Sequence, residues 1–299
     1  MIIYRAGLTG CLAACLIPDS EILDTDSAPV LHKAVLRFRS DEISKATGIP
    51  FKKIKVTKAV FDGEMFMPWS PMLANQYSMK VIDGLYDRSI ENLEPVTRWL
   101  APSDFHEQLI EMIGNRIHWN HEAYLDPTLY KENIISTLSL PINMQIVGQG
   151  DIVNLATHFN SIYVTTINVC IPCEVHQTVY FPDPSSSVYR VTLEGQKMII
   201  ESTAELEDGE YEWIPGVFGL RFDDFSMESF NYKQKIGKIA PVDDNLRKEL
   251  IHLLTENHGI YSLGRTAVWK NILLDDCLQD IHRIQGMINK SKYDRMLGK

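Results

Sequence analysis

Apolar and polar residues alternate in short blocks along the chain, and the period of the blocks changes from one end to the other. Ile2, Ile3 and Tyr4 predict a strand at the start, and the small-residue run LTGCLAACLI predicts a helix behind it. After Pro18, SEILD predicts a second short strand. DEISKATG reads as a short helix with Asp41 near its start and Gly48 as its stop, and FKKIKVTKAVF alternates as a half-exposed strand does. APSDFHEQLIEMIGNRI predicts a helix capped by Ser103 or Asp104, with Phe105, Leu109, Ile110 and Ile113 recurring at helical spacing. NIISTLSLPI predicts a buried strand with a proline exit.

From SIYVTTINVCI to QKMIIES the pattern becomes one of about four β segments, with turn signals at PDPSSS and LEGQ, and predicts an antiparallel sheet. DDNLRKELIHLLTENHG then predicts a capped helix stopped by Gly259, IYSLG a short strand, and NILLDDCLQDIHRIQGMI a last helix. A βαβ start, an antiparallel middle and a strand and helix finish predict an α/β fold. Both chain ends build one Rossmann-like domain, and an α+β module is inserted between them.

Composition narrows the partners more than the fold. At 299 residues the chain can bury a large core, and 45% hydrophobic with 23% charged residues is ordinary globular material. The net charge of -10 argues against general binding to nucleic-acid backbone, while leaving room for a local phosphate site. No apolar run is long enough to span a bilayer, and the start lacks a signal-peptide pattern, so a cytoplasmic location without a membrane partner is expected. Five cysteines are an odd number. Cys11, Cys15 and Cys277 stand in apolar helical settings that suit buried thiols, and no disulfide is expected. Cys170 and Cys173 form a lone C-x-x-C at the end of a strand, read as structural with a redox or metal role as the alternative.

The candidate chemistry begins in the first turn. Arg5, Ala6, Gly7, Leu8, Thr9 and Gly10 follow the first strand where a dinucleotide-binding turn has G-x-G-x-x-G. Gly7 and Gly10 occupy the second and third glycine positions, for close approach to a diphosphate and for packing of helix on strand, and Arg5 replaces the first glycine. Asp24 ends the second strand where an acid holds a ribose hydroxyl, although the spacing is compressed. Arg5 either lies against a phosphate or replaces glycine on the surface at small cost.

Three further stretches carry a resemblance. GIYSLGRTAVWKNILLDDCLQDI resembles the C-terminal flavin-binding segment of the glutathione-reductase-like FAD enzymes, in the branch of UDP-galactopyranose mutases and amine-oxidase-like flavoproteins. NIISTLSLP is similar to the strand that returns from that family's inserted domain, and YFPDPSSSVYRVTLEG to its substrate-domain strand pair. The resemblance implies non-covalent FAD, held by Ala6, Gly7, Leu8, Thr9, Gly10, Asp24, Gly264, Arg265, Trp269 and Asp275, with Asp276 adjoining. It places Tyr189 and Arg190 toward the substrate, where an arginine fork suits an anionic group. It implies an FAD domain from residues 1–60 and 235–299 with the strand 132–141, and a substrate domain from 61–131 and 142–234.

Arg37 and Arg39 are two apart and share one face of a strand, in the region where related flavoproteins put an arginine near the FAD phosphates; solvated strand charges are the alternative. The histidines, among them His106, His118, His121, His176 and His282, show no metal-ligand spacing, and no metal is expected. No nucleophile elbow, P-loop or triad signature occurs, which leaves the chemistry to the cofactor. Three readings follow. The first is an amine-oxidase-like enzyme that removes hydride from a carbon next to N or O of a small or nucleotide-linked substrate, passing electrons to oxygen or an external acceptor. The second is redox-neutral flavin chemistry like that of UDP-galactopyranose mutase. The third is a non-catalytic FAD- or nucleotide-binding protein.

Overall fold

A computed structural model describes residues 1–32, 34–85, 90–121, 133–151, 157–170, 174 and 176–290. In chain order the elements are β1 (Ile2–Tyr4), α1 (Leu8–Leu16), β2 (Glu21–Leu23), β3 (Arg37–Phe38), α2 (Glu42–Thr47), β4 (Lys52–Phe61), β5 (Phe66–Met67) and α3 (Pro71–Ile82). Then come β6 (Val96–Leu100), α4 (Phe105–Ile113), β7 (Ile117–His118), β8 (Ile134–Ser136), α5 (Leu140–Ile146), β9 (Phe159–Val169) and β10 (His176–Tyr180). The last are β11 (Val188–Glu194), β12 (Lys197–Ser202), α6 (Asp208–Val217), β13 (Phe225–Ile239), α7 (Asp244–His258), β14 (Ile260–Ser262) and α8 (Leu274–Ile288). Two compact units divide the chain: Met1–Lys52, Trp99–Thr157 and Pro241–Lys299 form one, and Lys53–Arg98 and His158–Ala240 the other.

The first unit is built on a sheet of order β14-β8-β1-β2-β7, with every neighbouring pair parallel. β1 lies in the middle. The chain leaves it through α1 to reach β2 on one side, and β8 lies on the other. Strand order therefore reverses beside β1, and in open α/β sheets the carboxyl ends of the strands at such a point form the ligand crevice. α1 comes close to the sheet because the side chains it buries there include Cys11, Ala13 and Ala14, with Gly10 beside them. The core joins Ile3, Ile22, Ile135 and Tyr261 of the sheet to Leu12 of α1, Phe105 and Leu109 of α4, and Leu278 and Ile281 of α8.

The boundaries differ from those expected. Residues 99–121, assigned above to the inserted domain, belong to the first unit, because Phe105, Leu109 and Ile113 are buried in its core. α5 joins them, through Asn143, whose Oδ1 accepts from Ser136 Oγ of β8 at 2.6 Å. In the other direction, residues 53–60 and 235–240 belong to the second unit, where β4 pairs with β10 and the end of β13 pairs with β9. Asp104 stands at the N-cap of α4 without a side-chain cap bond, so packing of its apolar face holds that helix. Gly48 and Gly259 end α2 and α7 with φ of +75° and +66°, as the stop signals require.

In the second unit the strands run β13-β9-β12-β11-β10-β4 and on to β6. Pairs from β13 to β10 are antiparallel, whereas β10 and β4 are parallel, so the sheet is mixed. α6 covers one face with Ile214 among Val179, Val191 and Ile200. Among the elements not expected from the sequence are α3, α6 and β13. α3 carries a legible signal, Ser70 whose Oγ accepts from the Leu73 amide at 3.2 Å, followed by Pro71. α6 opens with a capping box of Glu207 and Glu210. β13 is an edge strand in which Lys233 and Lys235 take the place of an apolar alternation.

Lys80 ties α3 to the sheet: its ammonium donates to the carbonyls of Phe181, Asp183 and Val188 at 2.9, 2.6 and 2.5 Å. Lys80→Met would keep the aliphatic stem and leave three carbonyls to find other donors. It is expected to lower stability by about 2 kcal/mol, read as a shift in the urea midpoint.

Candidate functional site

The carboxyl end of β1 carries the turn Arg5 to Gly10. Gly7 is the N-cap of α1, with φ -67° and ψ 169°, a conformation open to any residue. A Cβ built on it meets nothing within 4 Å among the described residues. Gly10 is the opposite case, because a Cβ there would lie 2.1 Å from the Arg5 carbonyl oxygen and so bar the helix from the strand. Arg5 itself has φ of +80°, the left-handed region that glycine adopts without penalty and that costs another residue about 1–2 kcal/mol. The turn thus keeps a glycine-like backbone at its first position with an arginine in it. The Arg5 side chain is half exposed, 3.8 Å from Asp26 Oδ2.

Four groups hold the neighbouring peptides. The Arg5 amide donates to the Leu23 carbonyl at 2.9 Å, and the Ala6 amide donates to Asp24 Oδ2 at 2.6 Å. The Ala6 carbonyl lies 3.2 Å from His106 Nε2 and accepts from Cys11 Sγ at 3.2 Å. His106 Nδ1 accepts from the His32 amide at 3.0 Å, so the ring hydrogen is on Nε2 and points at Ala6. Burial holds the His106 pKa below the usual imidazole value, and its bond to Ala6 and the charge of Glu107 only partly oppose this. Buried thiols accompany the turn: burial pushes Cys15 up to about 11 and Cys11 well above the ordinary thiol range, so neither is a ready nucleophile.

Beyond the turn, the amides of Gly7, Leu8 and Thr9 donate to no protein acceptor among the described residues. They open α1, a helix of nine residues whose dipole adds positive potential at the same end. Gly264, just past β14, has φ of +95°, and a Cβ on it would come within 3.1 Å of the Thr9 side chain. The Cys277 thiol of α8 donates to the Leu273 carbonyl at 3.6 Å, and burial pushes its pKa up to about 12, with Thr9 acting in the opposite direction. Gly7, Leu8, Thr9, Gly10 and Gly264 are therefore gathered at one edge, with Arg265 next in the chain.

The remaining candidates are placed otherwise. Asp24 is buried, and its two oxygens take the Ala6 amide and the Asp26 amide at 3.0 Å, where a ribose hydroxyl was expected. Trp269 is 1% exposed and offers no face to a bound molecule. Asp275 accepts from the Arg39 amide at 3.1 and 3.2 Å and lies 3.5 Å from Arg39 Nε. Asp276 pairs with the Arg39 guanidinium and accepts from the Leu273 amide at 2.8 Å. The start of α8 is thus closed by its own carboxylates and by Arg39, whose pKa the Asp276 bond raises. Arg37 pairs across the ladder with Leu100, on β3.

In the second unit Tyr189 is fully buried and donates to Glu201 Oε1 at 3.1 Å. Arg190 gives Glu201 a two-pronged contact, Nη2 to Oε1 at 2.7 Å and Nε to Oε2. A register shift between Val188 and Arg190 lets consecutive residues reach one carboxylate. The fork expected to hold substrate is occupied by the protein itself. His118 and His121 are exposed, Cys170 is a free exposed thiol, and Cys173 lies outside the described residues. Among the described residues, no group of three or more His, Cys, Asp or Glu is placed to hold a metal ion, and no helix is long and apolar enough to cross a membrane.

The parallel sheet with its glycine turn, and the mixed sheet next to it in sequence, make an α/β fold that matches those of solved oxidoreductases. The chain is similar to the CLA-producing fatty acid isomerase of P. acnes, with a TM-score of 0.59, 10% identity, and 96% of this chain and 97% of that one covered. It is similar to a triple mutant of putrescine oxidase redesigned in its cofactor binding, with a TM-score of 0.56, 10% identity and 97% and 98% covered. An oxidoreductase of Methanosarcina mazei gives a TM-score of 0.53 at 8% identity, with 95% and 99% covered. No protein-family model and no curated protein sequence matches the chain. At such identities the likeness is one of fold.

Proposed function

We propose that this protein binds FAD at the carboxyl edge of its parallel sheet and works as an oxidoreductase of amine-oxidase type, removing hydride from a carbon next to nitrogen or oxygen. The observation that carries this reading is Gly7. Its φ and ψ do not call for glycine, and among the described residues no atom lies where its Cβ would be, so the space in front of it is what a side chain would take away. A diphosphate fits there. The amides of Gly7, Leu8 and Thr9 supply donors, α1 supplies positive potential, and Gly10 and Gly264 let the surrounding backbone close in. When bound, the flavin supplies the chemistry, taking up the hydride and passing two electrons to oxygen or an external acceptor.

The chain's own residues bind and orient the group. Arg5 adds a cation at the mouth of the turn, next to Asp26. The redox-neutral alternative would call on arginines from the middle of the chain to hold a nucleotide diphosphate, and Arg190 there is paired with Glu201. The freshly purified protein is expected to show a flavin spectrum, to release FAD on denaturation, and to be bleached anaerobically by an oxidisable amine or alcohol. A colourless protein that also fails to take up added FAD would overturn the reading, and a coloured protein that no such substrate reduces would leave only the binding function.

A further inference from the structure

The arginine in the first glycine position raises a question of its own, since nothing local makes residue 5 adopt a left-handed backbone. The surroundings do. Each of three successive peptide planes is fixed by a bond from outside the turn. The plane before Arg5 is held through its amide by the Leu23 carbonyl, and the plane after it by Asp24, which takes the Ala6 amide at 2.6 Å. The next plane is held through the Ala6 carbonyl by His106 Nε2 and Cys11 Sγ, both at 3.2 Å. Because a peptide is planar and trans, a carbonyl drawn toward His106 sends the Gly7 amide the opposite way, out to the open end of α1. Asp24 is itself anchored by the Asp26 amide, and His106 by the His32 amide.

We propose that Asp24, His106 and Cys11 form a clamp on Ala6 that stands in for the missing first glycine: it holds Arg5 at φ +80° and aims the Gly7 amide at the ligand space. These are positioning residues, and none of them needs to touch a ligand. The part of the proposal that concerns FAD rests on the function proposed above; the part that concerns the backbone does not.

The distinguishing property of such a clamp is that glycine at position 5 would make it partly redundant. Asp24→Ala and His106→Phe are therefore made both in the native chain and in an Arg5→Gly background, and each variant is followed by urea unfolding without added cofactor and by FAD titration. In the native chain each clamp substitution is expected to raise the unfolding equilibrium constant and weaken FAD roughly tenfold or more. In the Arg5→Gly background the same substitutions are expected to cost several-fold less, a coupling that loss of ordinary core contacts would not produce. His106→Gln, which keeps a donor for the Ala6 carbonyl, is expected to recover part of the His106→Phe loss. Equal losses in both backgrounds would overturn the clamp. If Asp24→Ala does not fold, Asp24→Asn and His106→Phe complete the same cycle. If no variant, nor the parent, binds FAD, the cofactor reading fails while the unfolding cycle still decides the clamp.

Discussion

Gly7→Val is expected to abolish FAD binding while leaving the protein folded. The backbone at Gly7 suits valine, and among the described residues no atom lies within 4 Å of the new Cβ, so the cost to the apoprotein is at most about 1 kcal/mol from a poorer N-cap. The loss on the ligand side is much larger. A branched side chain would fill the space in front of α1 and part the diphosphate from at least two backbone donors, roughly a hundredfold or more in affinity. Gly10→Ala is the matching control with the reverse signature: its Cβ would meet the Arg5 carbonyl oxygen, and it is expected to destabilise the fold by roughly 3 kcal/mol whether or not a cofactor is present. Circular dichroism, a urea midpoint and an FAD titration on the two variants separate the roles. A Gly7→Val protein that stays folded and fully loaded with flavin would remove the turn from the site.

In the second unit, Glu201→Gln is expected to lower stability by about 3 kcal/mol, toward the low end for breaking a buried pair because the Arg190 side chain keeps some contact with water. The substitution preserves shape and removes the charge that balances Arg190, with Lys238 also close enough to interact. The same carboxylate should make the protein acid-sensitive. Burial alone would raise the Glu201 pKa, but Arg190 foremost, then Lys238 and the Arg190 and Tyr189 hydrogen bonds, hold it below the usual 4.5. A pKa depressed in the folded state means stability that is in place above the unfolded value and is lost as pH falls through the folded one. Urea midpoints measured from pH 6 downward should therefore decline in the native protein below about pH 4.5, and the part due to Glu201 should be missing from Glu201→Gln.

The local elements were legible because their signals are short. Gly48 and Gly259 end helices α2 and α7, Phe105, Leu109 and Ile113 mark the buried face of α4, and alternation marks β4. The turn's packing was legible for the same reason, since Gly10 meets the Arg5 carbonyl five residues before it. α3 is also written in the chain, in Ser70 and Pro71. The 15-residue strand β13 was not written there in the same sense, because an edge strand with lysines has no apolar period to read and exists through its pairing with β9.

What the amino-acid sequence determined by itself is the βαβ opening, the glycine turn, the presence of a β-rich middle and the helices that close the chain, all products of contacts within a few residues. What only the tertiary structure decided is who meets whom. Asp24 faces the Ala6 amide, where a ribose was expected, and His106 reaches the same residue from 100 positions away. Arg190 is taken by Glu201 and Arg39 by Asp275 and Asp276, so arginines that looked available for anions are already balanced. Trp269 is core. The physical reason is the same in each case: a charged or polar side chain carries its chemistry in its identity, but whether that chemistry is free for a ligand depends on partners that folding brings from distant parts of the chain.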